Sequence, residues 1–96
     1  MSESNERTMR TAILQYIRAM GMEERLIEAQ IKTSWADFIG PTLAKKTYVK
    51  RLDKGVLHVV VDHALLRHEL RFYTAQWMER LNADMGKPLV HEIRLL

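Results

Sequence analysis

The stretch "GVLHVVVDHALLRHELRFYTAQWMERLNADMG", residues 55–86, holds two hydrophobic periods back to back. In its first part Leu57, Val59 and Val61 alternate with His58, Val60 and Asp62. That is the period of a strand with one apolar face. In its second part Leu66, Leu70, Tyr73, Trp77 and Leu81 fall at i, i+4, i+7, i+11 and i+15, a continuous apolar stripe on a helix. Asp62 stands between the two and is a residue type that caps helix N-termini. The stretch therefore predicts a strand running directly into one long helix. Gly86 ends that helix and Pro88 bars its return.

Working outward, "TYVKRL" and "VLHVVVD" flank Asp53-Lys54-Gly55. Gly55 suits a tight turn, so residues 47–62 read as a hairpin. Upstream, Ile27, Ile31, Trp35, Phe38 and Ile39 keep a helical pattern up to Gly40-Pro41. Gly40 can close that helix in the left-handed conformation, and Pro41 cannot continue it. Residues 41–44 predict a short extra turn. Before them, Met9, Ile13, Tyr16, Ile17 and Met20 recur at helical spacing up to Gly21, and residues 1–6 read as a disordered tail. At the other end, "LVHEIRLL" reads as a last strand.

The order is helix, helix, strand, strand, helix, strand. Short strands are not stable alone, so the three are expected in one sheet with the long helix across one face. The two N-terminal helices would complete the core. This is a small α+β fold, one domain over residues 7–96. Its expected core is Trp35, Leu57, Val59, Val61, Leu70, Trp77 and Leu81, and its turns are set by Gly40, Gly55 and Gly86.

Several function classes lose support. The chain has no cysteine, so it has no disulfide framework and no zinc–thiolate site. The start, "MSESNER", lacks the basic and apolar segments of a signal peptide. No apolar run approaches the roughly 20 residues of a membrane span. A soluble cytoplasmic protein without membrane contact is expected. Serine occurs only at Ser2, Ser4 and Ser34, and no GxSxG, P-loop or HExxH motif is present. No catalysis, small-molecule substrate or cofactor is expected. His63 and His68 diverge by about 140° on a helix, and His58 and His91 fall in strands, so no metal site is expected either.

The net charge of +3 is unevenly placed. Residues 1–44 carry five basic and six acidic side chains, residues 72–96 three of each, and residues 45–71 seven basic against three acidic. The seven are Lys45, Lys46, Lys50, Arg51, Lys54, Arg67 and Arg71. Such asymmetry suits a polyanion, and it equally suits a solvated polar face. Arg67, His68 and Arg71 fall on the helix side away from the stripe, and Lys50, Arg51 and Lys54 belong to the hairpin. If the start of the helix lies near the hairpin's end, Arg67, Arg71, Lys50, Arg51 and Lys54 extend one phosphate-binding surface, with Lys45 and Lys46 as weaker members. Tyr48 and Phe72 are candidates for base stacking, and equally for the core. The GxxG loop of a typical KH nucleic-acid-binding domain is absent.

The ordered set Trp35, Gly40, Thr47 after a basic pair, Gly55 before Leu57-His58-Val59-Val60-Val61, Glu69-Leu70, Leu81-Asn82, Gly86, Val90 and Ile93 resembles the DciA-like family of bacterial proteins, from the first helix to the C-terminus. The resemblance implies a KH-like α+β fold, DNA binding, and assistance in loading the replicative helicase, DnaB. Relatives that load helicase commonly carry a longer tail that contributes to the helicase or DNA contact, and this sequence ends at Leu96. The expected function is a non-catalytic nucleic-acid-binding module associated with replication, with DNA favoured over RNA and the helicase as a further partner. Two alternatives stay open. One is a protein–protein adaptor using a sheet edge or the Leu65/Phe72 flank, and the other is an RNA-binding accessory protein.

Overall fold

A hairpin organises the molecule. Strand β1 (Thr47–Asp53) pairs antiparallel with β2 (Val56–Val61), and β2 pairs parallel with β3 (Glu92–Leu95), giving the sheet order β1-β2-β3. The computed structural model describes residues 2–19 and 21–96, and their side chains except at residues 2–4, 17 and 19. Five helices accompany the sheet: α1 (Ser2–Ala19), α2 (Glu23–Ile39), α3 (Pro41–Ala44), α4 (Ala64–Leu70) and α5 (Thr74–Met85). The result is an α+β fold with a three-stranded mixed sheet.

The hairpin turn is Lys54–Gly55, with both residues at positive φ. Two such residues give the turn the twist that matches its flanking strands. Lys54 is in a region costly for a residue with a Cβ. Carboxylate oxygens of Glu24 on α2 accept the N–H groups of both Lys54 and Gly55, at 2.9 and 3.1 Å. Glu28, one helical turn on, accepts the N–H of Leu52 at 2.7 Å. These bonds satisfy two donors of the turn and one of the edge strand β1. Gly55 has a second reason to be glycine, because a Cβ there would collide with the ring of His91.

Trp35, Leu57, Val59, Val61, Leu70, Trp77 and Leu81 are all buried, together with Ile31, Val49, Leu52, Val90 and Ile93. Trp35 stands at the centre. Its ring stacks on Phe38 at 5.6 Å and meets Trp77 edge-on at 6.4 Å. Its indole N–H donates to the buried Thr47 hydroxyl at 3.0 Å, which donates in turn to the Leu43 carbonyl at 2.8 Å. A buried indole needs such a partner. On α5, the Asn82 amide both donates to and accepts from the Val90 backbone, at 2.7 and 2.9 Å. That clamp fixes the chain as it enters β3.

Several expectations need correction. The long helix is two helices, because a 3₁₀ turn at Arg71–Tyr73 separates α4 from α5. The tightened turn rotates Tyr73 out of the stripe, leaving it exposed but stacked on Trp77 at 6.5 Å. The cap of α4 is His63, whose ring accepts the Leu66 N–H, and not Asp62. Gly40 ends α2 at φ 93° and ψ 155°, a glycine-only region distinct from the left-handed helix. Gly86 does end α5 left-handed. Finally, α1 leaves Met9, Ile13, Leu14 and Tyr16 exposed, so it does not complete the core. Its helix begins at Ser2, within the stretch read as a tail. Met20 and the Ile17 side chain lie outside the described residues.

Candidate nucleic-acid interface

Five of the seven cations of residues 45–71 follow β1. Lys45 and Lys46 precede it, Lys50 and Arg51 lie in its middle, and Lys54 is in the turn at its end; all five are exposed. At about 3.4 Å per residue, Lys46 and Lys54 are roughly 25 Å apart. The pairing register slips between Val49 and Arg51, so Lys50 is the extra residue of a β-bulge. A bulge and lysines also protect an edge strand from pairing with another chain. None of the seven forms an ion pair with a carboxylate among the described residues, where the salt bridges join Arg18 to Glu23, Lys32 to Glu28 and Arg94 to Glu92. Glu24, bound to the turn backbone, makes the Lys54 end of the row less positive than the Lys45–Lys46 end.

The helix cations join this row at its Lys46 end. Asp62 follows the end of β2 that pairs with the start of β1, and its N–H donates to the Lys46 carbonyl at 2.9 Å. Helix α4 therefore begins beside Lys45 and Lys46, with the hairpin's length between it and Lys54. Arg67 is not a free surface residue. It is half-buried, and its Nη1 donates to the Val61 carbonyl at 3.3 Å. Arg71 is exposed on the 3₁₀ turn. The expected single patch is thus a strip along β1 that bends onto α4 at its Lys46 end.

Tyr48 and Phe72 both lie outside the core, 59% and 77% exposed. Phe72 meets His68 edge-on at 6.2 Å. Tyr48 lies on the sheet face opposite the helices. The register places it beside Val60, and the next row across the sheet is Arg51, His58 and Arg94. Val49, Leu57, Val59 and Ile93 point the other way, into the core. His58 and Arg94 were not picked out as site residues by sequence reasoning. Alternation puts Arg94 opposite Ile93, but its place beside His58 depends on the parallel pairing of β2 with β3, which local sequence does not specify. Among the described residues no group of three His, Asp or Glu side chains is arranged to hold a metal, and no helix is long and apolar enough to cross a membrane.

A family model described as "Dna[CI] antecedent, DciA" matches residues 8–95 of the 96-residue chain. The chain belongs to the DciA family. No curated protein matches it. DciA proteins are associated with loading of the replicative helicase, a non-catalytic task as the family is known. The match takes in the whole sheet and helices α2 to α5. It includes Trp35 and Thr47, joined by their buried hydrogen bond, and Asn82, which clamps Val90. These residues of the DciA pattern account for the fold. The strip of cations is a separate feature of the surface.

Proposed function

We propose that this DciA-family chain is a non-catalytic, cytoplasmic nucleic-acid-binding module that works with the replicative helicase, with DNA favoured over RNA. We read its domain as KH-like from the order α2-β1-β2-α4-α5-β3. The observation that carries the binding reading is the strip of cations along β1, Lys45, Lys46, Lys50, Arg51 and Lys54, which form no salt bridge among the described residues, with the exposed Tyr48 among them. Phosphate contacts of this kind give affinity with little sequence preference. Fluorescence anisotropy with labelled DNA of mixed sequence tests it. Binding should be measurable at about 50 mM salt and fall at least tenfold by about 200 mM, since each neutralised phosphate releases counterions. Binding that is absent at low salt, or indifferent to salt, sinks the reading.

The exposed apolar side chains of α1 favour a second contact, with protein. Met9, Ile13 and Tyr16 share one helical face, and Leu14 lines a groove with Leu26, Ile27, Phe38 and Met85. This face is the proposed helicase contact. In a pull-down with the purified helicase after nuclease treatment, Ile13→Asp should lose most of the retained helicase while its DNA affinity stays unchanged. Full retention by the variant would move the helicase contact elsewhere.

A further inference from the structure

Helix α1 is the element with least to hold it. Every described side chain on it is exposed, and its ion pair, Arg18 to Glu23 at 3.4 Å, lies at its C-terminal end. The radius of gyration is 16.1 Å, against about 12–13 Å for a compact domain of this length, and the molecule extends over 57 × 22 × 20 Å. Met9, Ile13 and Tyr16 fall at i, i+4 and i+7, the spacing of a helix–helix seam. Leu14, on another side of α1, lines a groove with Leu26, Ile27, Phe38, Met85 and Leu89. The groove has a volume of about 1200 Å³. Small-molecule pockets are mostly about 300–1,000 Å³. A helix about 10 Å across and about 15 Å long, ten residues, occupies nearly the volume of this groove. The charges match as well. In the groove, Arg18 is held by Glu23, and Arg80 lies over the Phe38 ring at 4.4 Å and donates to the Phe38 carbonyl at 2.9 Å. Asp37, Asp84 and Lys87 remain there, exposed and without a salt bridge among the described residues. On α1, Glu6, Arg7 and Arg10 are in the same condition. Two acids and a base in the groove thus answer to two bases and an acid on the helix.

We propose that α1 of a second copy of this chain fills the groove, each copy seating the other's Met9–Ile13–Tyr16 seam, and that this pair hides the face offered to the helicase. The masking rests on the helicase contact proposed above. Seam and groove belong to one chain, so a two-fold pair closes both contacts at once and leaves neither for a third copy. Exposed apolar patches of this kind are rare on monomers. In the pair, Arg7 and Arg10 of one copy lie against Asp37 and Asp84 of the other, and Glu6 against Lys87. No residue of β1 lines the groove, so each copy keeps its cationic strip free. Helicase and second copy compete for one face, and the chain offers that face only where the helicase outcompetes the pair.

Sedimentation velocity over about 1–200 µM reads the oligomeric state, since the pair forms by mass action. The parent should reach twice its chain mass of 11.3 kDa and stop there. Arg7→Glu with Arg10→Glu, and separately Asp37→Lys with Asp84→Lys, should each weaken self-association at least about tenfold, because like charges then meet. An equimolar mixture of the two variants should associate as the parent does, because each seam then meets a groove of opposite sign. All four side chains are exposed, and thermal melting checks that the variants fold. Asp53→Cys supplies a single thiol on the hairpin of a chain without cysteine, so donor- and acceptor-labelled copies report the pair by energy transfer. Purified helicase should abolish that transfer. A parent that stays monomeric throughout overturns the inference and leaves the helicase contact to its own pull-down. A dimer indifferent to both charge reversals puts the interface elsewhere and overturns it too. Transfer that persists while helicase is retained overturns the masking. A charge-dependent dimer in a chain that retains no helicase overturns the helicase reading, and the masking with it, but not the pair.

Discussion

Trp77→Ala should melt roughly 10–40 °C below the parent, a loss of about 3–5 kcal/mol. Trp77 is 6% exposed and holds three parts of the fold together. It meets Trp35 of α2 edge-on at 6.4 Å, it carries Tyr73 on its own face at 6.5 Å, and it lies at the start of α5 just after the 3₁₀ turn. Truncation removes both ring contacts and opens a space the size of an indole between α2 and α5. Those helices are fixed elsewhere, α2 by Glu24 and Glu28 to the hairpin and α5 by Asn82 to Val90, so they cannot close the space freely. Domains of this size are stable by about 5–15 kcal/mol, so the variant should sit near the limit of folding. Denaturant unfolding followed by circular dichroism measures the loss directly. A melting curve that overlays the parent's would mean that the two tryptophans do not form the joint described here.

Reversing Lys50 and Arg51 together to glutamate should weaken DNA binding about 10- to 100-fold at low salt and reduce the slope of log affinity against log salt by roughly 2. The pair sits at the middle of the β1 strip, exposed and at the bulge, where side chains fan outward. Because neither forms an ion pair among the described residues, the exchange breaks no internal salt bridge and the melting temperature should hold. The control is Arg7→Glu with Arg10→Glu on α1, which makes the same change in net charge far from the strip in sequence and on another element. Equal losses in the two double variants would mean that overall charge alone governs binding. Arg67 is a poor choice for such a test, since its bond to the Val61 carbonyl ties it to the fold. Its reversal would mix instability with lost contact.

The core was legible because it depends on period. Leu57, Val59 and Val61 alternate, while Leu70, Trp77 and Leu81 keep a near-helical spacing, and all six are buried. The turn at Lys54–Gly55 and the stops at Gly40 and Gly86 were legible because glycine supplies backbone angles that other residues avoid. What sequence did not give was anything set by contacts distant along the chain. The break at Arg71–Tyr73 leaves no glycine or proline to mark it, and Tyr73 fits the stripe on paper. Which cations of β1 lie nearest the helix cations is set by strand direction. Asp62 does lead straight from β2 into α4, but β2 runs antiparallel to β1, so α4 starts at the Lys46 end rather than at the turn. The Arg51–His58–Arg94 row was invisible for a related reason, because a parallel partner strand carries no local signature. For α1, an amphipathic pattern promised burial, and the apolar side chains instead remain outside.

The bulge at Lys50 has an arithmetical consequence for the strand. Were β1 regular, Tyr48 outward and Val49 inward would force Arg51 into the core and Leu52 into water. The extra residue absorbs that mismatch, so Arg51 and Leu52 keep the faces they need against His58 and Leu57. Even and odd positions are thus reset once within seven residues. A chain shortened by one at Lys50 would still present every remaining β1 side chain on its present side, with the strand straightened. Removal of Val49 or Leu52 would take an inward residue from the core. In the history of such a strand, length can vary by one at this point without exchanging inside for outside.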